Sequence, residues 1–189
     1  MKKHLLLLII LCFGFGVVTR AQTTMPSTES VMSKAYAQAA KEKKKVLVIF
    51  HASWCGWCKK MEASINDPSL KKMFDDNYVL VYLDVMEQPA KKALENPGAL
   101  ELMTKYKGEK SGLPFWFVAD AKGSKLADSQ KRPAGAALDT YGENVGCPAS
   151  EDEVAFFIGI LKATSKLKED QLDLVAKRFA LNKPGAAAN

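Results

Sequence analysis

The sequence predicts an α/β domain, with a mixed central sheet flanked by helices and extra helices at its C-terminal end. Three observations carry that prediction. Val46 to His51 is a near-continuous apolar run, the pattern of a strand covered on both faces. Strand-like and helix-like stretches then alternate until Phe115–Ala119, after which Asp120-Ala121-Lys122-Gly123 supplies turn chemistry for a hairpin. Lastly, Ser150-Glu151-Asp152-Glu153 is a capping box opening a late helical segment.

In order, residues 22–27 are polar and read as a flexible lead. From Thr28 to Lys43, Val31, Ala35, Ala39 and Ala40, with Tyr36 beside them, fit one face of a helix. Lys44 and Lys45 lead into the central strand, and a helix follows from about Cys55 to Ser64. Asn66-Asp67-Pro68 closes that helix and opens another, because Asp can cap and Pro is tolerated in a first turn. This second helix is expected to end near Phe74.

Tyr78 to Val85 reads as a second buried strand, and Asn96-Pro97 opens a helix through Tyr106 with Leu100, Met103 and Tyr106 facing inward. Gly108 to Gly112 is a charged loop before the strand Phe115–Ala119, and Lys125–Ala127 is a short fourth strand. Residues 129–149 show no period and read as a long loop or insertion. Helices are expected over Val154–Thr164 and Asp170–Leu181, the latter burying Leu172, Val175 and Phe179. The Ala-rich end after Pro184 reads as frayed, and there are no internal repeats.

A length of 189 residues suits one domain with a proper core, and 48% apolar with 25% charged residues is the balance of a globular chain. The first 21 residues read as a cleavable secretory signal. Met1-Lys2-Lys3 is the basic start, Leu5–Val18 the apolar centre, and Thr19-Arg20-Ala21 supplies small residues before a cut. The apolar run is short for a membrane span, and Leu11 is too large to precede a lipid-modified Cys12. An uncleaved anchor is the alternative. The mature chain would therefore start near Gln22, in a periplasmic or extracellular setting, as one domain over 22–189. Taking away Lys2, Lys3 and Arg20 leaves 24 bases against 21 acids, a net charge of +3. That is too mild and too scattered for a nucleic-acid surface, and the basic run Lys41–Lys45 reads as a solvated helix end.

Three cysteines remain after the signal: Cys55, Cys58 and Cys147. A single C-x-x-C pair in an exported chain points to catalysis rather than to a disulfide-stapled fold. Strand, short loop, then cysteine at a helix start is a recipe for a reactive thiol. The free N–H groups and the helix dipole favour thiolate, lowering its pKa from about 8.5. Two intervening residues set Cys58 one turn behind Cys55, within reach of a disulfide. Cys55 is then the exposed attacker and Cys58 the shielded partner.

The segment Trp54-Cys55-Gly56-Trp57-Cys58-Lys59 resembles the active site of the thioredoxin superfamily. With Lys60-Met61-Glu62 and Asn66-Asp67-Pro68 it is similar to secreted bacterial thioredoxin-like domains, and to the C-terminal domain of the thiol:disulfide interchange reductases. The resemblance covers about Lys34 to Asp128, leaving a C-terminal helical extension over about 150–181. It implies a thioredoxin-like fold in which Pro114, preceded by Gly112-Leu113, is cis and faces the cysteine pair. Such a turn leaves the Leu113 backbone free to pair with an extended substrate. Trp54, Gly56 and Trp57 would complete a substrate-binding rim, with plain packing as the alternative for Trp54. Phe115 and Trp116 read as core.

Two features depart from the family pattern. Ile49 stands where thioredoxin places a buried acid that exchanges a proton with the inner cysteine, which an aliphatic side chain cannot do. His51 and Glu62 are the two candidates for that proton transfer. Trp57 replaces the proline that thioredoxin has between its cysteines, so its reduction potential does not carry over. Cys147 admits three roles: a third redox thiol, a site of mixed-disulfide formation, or an inert buried residue.

The reading is an exported oxidoreductase exchanging disulfides with protein or peptide thiols through Cys55 and Cys58, and the resemblance favours reduction. No organic cofactor and no metal is called for, only a redox-active disulfide and an electron donor such as a membrane thiol–disulfide reductase. The alternatives are a disulfide oxidase or isomerase, a non-catalytic peptide-binding module, and a metal carrier.

Overall fold

The computed structural model describes residues 25–185. The expected signal segment with its expected cut near Ala21, Cys12 and most of the Ala-rich end lie outside them. Helix α1 (Thr28–Glu42) leads into β1 (Lys45–His51), and α2 (Gly56–Ile65) and α3 (Lys71–Asn77) precede β2 (Tyr78–Asp84). After a single 3-10 segment over Pro89–Leu94 come α4 (Ala99–Lys105), β3 (Phe115–Ala119) and β4 (Lys125–Asp128). The short strands β5 (Gln130–Lys131) and β6 (Glu143–Asn144) are followed by α5 (Glu151–Thr164) and α6 (Glu169–Ala180).

The main sheet has the order β2-β1-β3-β4, with β1 and β2 parallel and the other pairings antiparallel. This is the mixed sheet that the sequence predicts. Its centre is β1, whose residues 46–50 are buried on both faces. Because side chains alternate along a strand, Val46, Val48 and Phe50 join one core with α1 and α4. Leu47 and Ile49 join the other, with Met61 and Ile65 of α2 and Phe157 and Phe179 of α5 and α6. The last two helices therefore cover one face of the sheet. Phe115 and Trp116 are both fully buried, on opposite faces of β3, as their sequence pattern implies.

Several local expectations need correction. The helix after α2 starts at Lys71 rather than Pro68 and runs to Asn77. Asp67 uses its carboxylate on the Ser69 N–H and hydroxyl, which holds residues 68–70 in turns and postpones the helix. Leu100 is 46% exposed, because α4 is only seven residues long and turns Met103 and Ala99 to the core. In α1 it is Met32, not Ala40, that is buried beside Ala35 and Ala39. The segment 129–149 is not simply a loop, since Gln130 and Lys131 pair with Asn144 and Glu143. The capping box is present, with the Glu153 N–H donating to Ser150 Oγ at 3.3 Å and the Ser150 N–H to Glu153 Oε2 at 2.9 Å.

Candidate active site

The site is built where the central strand stops. After His51 the chain turns, the Cys55 N–H donating to the Ala52 carbonyl at 3.0 Å, and Cys55 becomes the N-cap of α2. Its sulfur accepts the Cys58 backbone N–H at 3.1 Å. That bond and the helix dipole both stabilise negative charge on this sulfur when the pair is reduced. Cys55 and Cys58 are joined in a disulfide of 2.02 Å with their Cα atoms 5.3 Å apart.

Cys55 is not the exposed member of the pair. Cys55 and Cys58 are 3% and 4% exposed respectively, packed with Ala52 and Leu113 in a small cluster of their own. As N-cap, Cys55 folds its sulfur back over the first turn of α2, and Leu113 covers it from across the site. The accessible groups are the tryptophans, with Trp54 50% and Trp57 40% exposed.

A brace beneath the loop escaped the sequence reading. Glu87 is buried, and its carboxylate accepts the Ser53 N–H at 2.5 Å and the Ser53 hydroxyl at 2.9 Å. Lys91 donates to the same hydroxyl at 3.1 Å, and Trp54 Nε1 donates to the Met86 carbonyl at 2.9 Å. Burial pushes the Glu87 carboxyl up, but the Ser53 hydrogen bonds and the Lys91 charge outweigh it and hold it below the ordinary glutamate value. A lone Glu in Met86-Glu87-Gln88-Pro89 belongs to no periodic pattern, so nothing local marks it.

Across the site, the Leu113–Pro114 bond is cis, as the resemblance implies, and Gly112 before it has φ +71°, a conformation that suits glycine. A cleft of about 290 Å³ is lined by Trp57, the Gly112–Pro114 turn and residues 144–147. Trp54 and Gly56 do not line it, and both are exposed. A larger groove, of about 590 Å³ between α1 and α4, contains neither the cysteines nor this turn.

The proton-transfer candidates differ in setting. His51 ends β1 opposite Asp84, with Nε2 3.5 Å from Oδ1, and meets the Tyr82 ring edge-on at 5.5 Å between centroids. Burial raises the Asp84 carboxyl against the opposing pull of His51. Glu62 lies on the exposed side of α2, its charge adding to the burial that pushes the Tyr82 hydroxyl up to about 12. Ile49 is buried in apolar surroundings with Met61 and Trp116. Cys147 is buried too, receiving the Asn182 amide at 3.4 Å, and burial pushes its thiol up to about 12. It is protonated at neutral pH, which fits the inert role. Among the described residues no three His, Cys, Asp or Glu side chains gather as a metal site, and no helix is long and apolar enough to cross a membrane.

A family model described as thioredoxin-like matches residues 28–121, which hold the cysteine pair, the cis-proline turn and three strands of the sheet. The chain belongs to the thioredoxin-like family. Among solved structures it is similar to a disulphide isomerase from Xylella fastidiosa Temecula1, at 22% identity over 53% of this chain and 71% of that one, with a TM-score of 0.45. A DsbH oxidoreductase matches at 23% over 76% and 85%, TM-score 0.44. The oxidised C-terminal domain of Neisseria meningitidis DsbD matches at 24% over 56% and 84%, TM-score 0.40. No curated protein sequence matches significantly.

Proposed function

We propose that this protein is an exported thiol:disulfide oxidoreductase that reduces disulfides in protein or peptide substrates. The observation that carries the reading is the Cys55–Cys58 disulfide at the start of α2, set against the cis Leu113–Pro114 turn. In the reduced protein, Cys55 thiolate attacks one sulfur of the substrate disulfide and the other sulfur leaves as thiolate. Cys58 then attacks Cys55 Sγ, the second substrate thiolate departs, and the Cys55–Cys58 bond closes. Two electrons pass from the pair to the substrate, and a donor dithiol, such as that of a membrane reductase, returns them.

Leu113 and Pro114 hold the substrate chain against Trp57, and Trp54 and Gly56, outside that cleft, add exposed surface for the rest of the substrate. His51, backed by Asp84, is the better proton acceptor for the Cys58 thiol, since Glu62 faces solvent. Because both cysteines are buried, a substrate must displace Leu113 from the cluster to reach Cys55. Export rests on the signal-like residues 1–21, and mass analysis of the exported protein should find a chain starting near Gln22.

The test is the midpoint potential of the pair, followed by tryptophan fluorescence in thiol redox buffers. A value near roughly −270 mV supports reduction, whereas one near roughly −120 mV reverses the direction. No reversible transition would remove the oxidoreductase reading altogether. The double substitution Cys55→Ser, Cys58→Ser abolishes activity in an oxidoreductase and spares a pure peptide binder.

A further inference from the structure

Residues 129–149 lie between the last strand of the main sheet and α5, and they are tied to the cis-proline loop at many points. Gln130 is buried with both ends of its amide engaged. Its Nε2 donates to the Lys107 carbonyl at 2.7 Å and to Ser111 Oγ at 2.5 Å, and its Oε1 accepts the Gly142 N–H at 2.9 Å and Arg132 at 2.8 Å. Asn144 Nδ2 donates to the carbonyls of Ser111 at 2.9 Å and Pro114 at 3.2 Å, while its Oδ1 accepts the Gly146 N–H at 3.2 Å. Gly146, at φ +61°, takes a conformation that favours glycine, and a Cβ there would stand in ordinary contact with the Pro114 carbonyl oxygen, 3.5 Å away. Trp116 Nε1 donates to the Gly146 carbonyl at 2.7 Å, fixing the same strip to the core.

These contacts have two consequences at the site. The carbonyls of Ser111 and Pro114, on either side of Leu113, are both held by one side chain, so the Leu113 backbone is presented in a single arrangement. The strip 144–147 also lines the 290 Å³ cleft, together with Trp57 and the turn itself. That cleft has room for side chains flanking a substrate cysteine, and a small disulfide has none to place there.

We propose that the 129–149 segment is a specificity wall, with Asn144 and Gln130 as its positioning residues, which favours disulfides carried on an extended polypeptide over small-molecule disulfides. The proposal rests on the oxidoreductase reading. Neither residue touches the reacting sulfurs; each acts through the turn it holds. Losing Asn144 loosens the turn and weakens pairing with a polypeptide backbone, while the sulfur chemistry is untouched.

The test is single-turnover reduction of insulin and of dithiodipyridine by the pre-reduced protein, comparing the unsubstituted chain with Asn144→Ala and Asn144→Asp. Asn144→Asp keeps the acceptor for the Gly146 N–H and loses both donors, so it separates the clamp from the local fold. Both variants are expected to lower the second-order rate constant on insulin by about tenfold, the effect of one or two lost hydrogen bonds. Dithiodipyridine rates should stay within about twofold, and the midpoint potential should not move. Equal losses on both substrates, a shifted potential, or an unchanged insulin rate would each overturn the wall. If the unsubstituted protein reduces neither substrate, it is the oxidoreductase reading that fails.

Discussion

Replacing Asp128 with alanine should be among the most damaging single changes outside the core. Its side chain is wholly buried at the end of β4, where it meets two cations that are themselves nearly buried. Oδ1 accepts from Arg132 at 2.6 Å and Oδ2 from Arg132 at 2.8 Å and Lys125 at 2.7 Å. The Gln130 N–H adds a further bond at 3.1 Å. Removing one partner of a buried ion pair costs about 3–5 kcal/mol, because the remaining charge is left without compensation. Arg132 keeps the Gln130 and Thr140 oxygens and Lys125 keeps the Leu138 carbonyl, so the lower end, about 3 kcal/mol, is expected.

For a chain of this size such a loss lowers Tm by about 6–12 °C. Urea unfolding of the oxidised protein, followed by circular dichroism, reads it directly, with the slope unchanged and the midpoint lowered. Lys72→Ala is the control. Its ion pair with Asp76 is exposed, so the change should stay within about 0.5 kcal/mol. A loss below about 1 kcal/mol for Asp128→Ala would refute the reasoning, since the pair would then behave as if solvated.

The remaining predictions concern the brace, the helix caps and alkaline pH. Glu87→Ala leaves the half-buried Ser53 N–H without its acceptor and should cost about 1 kcal/mol while raising amide exchange at Ser53 and Trp54; unchanged exchange would rule out the brace. Ser150→Ala breaks the capping box and should cost about 1 kcal/mol, with the loss absent if α5 is capped in some other way. Cys147, Tyr36, Tyr78 and Tyr82 are each pushed up to about 12, chiefly by burial. Acids raised in this way contribute stability that is complete below their unfolded values, 9.0 for cysteine and 10.0 for tyrosine, and is lost as the pH climbs toward 12. Unfolding free energies should therefore fall steadily above pH 9, and a flat profile there would contradict the burial of these groups. In the same spirit, iodoacetamide at neutral pH should leave the buried Cys147 unlabelled until urea is added.

Local chemistry was enough to read much of this protein. The β-branched run before Cys55, the C-x-x-C spacing, the Asp120–Gly123 turn and the Ser150–Glu153 box each act over a few residues, and each forms what its own residues favour. The order in which these elements follow one another already implied a mixed sheet between helices, and the motif implied its family. What depends on groups far apart in the chain was decided only by tertiary structure. Leu113 covers a cysteine that its own position marks as exposed, and Glu87 fills a hydrogen-bonding need created at Ser53. Gln130 and Asn144 turn a featureless insertion into a wall beside Pro114. Burial and hydrogen-bond partners are properties of the folded neighbourhood, and no pattern within a few residues encodes them.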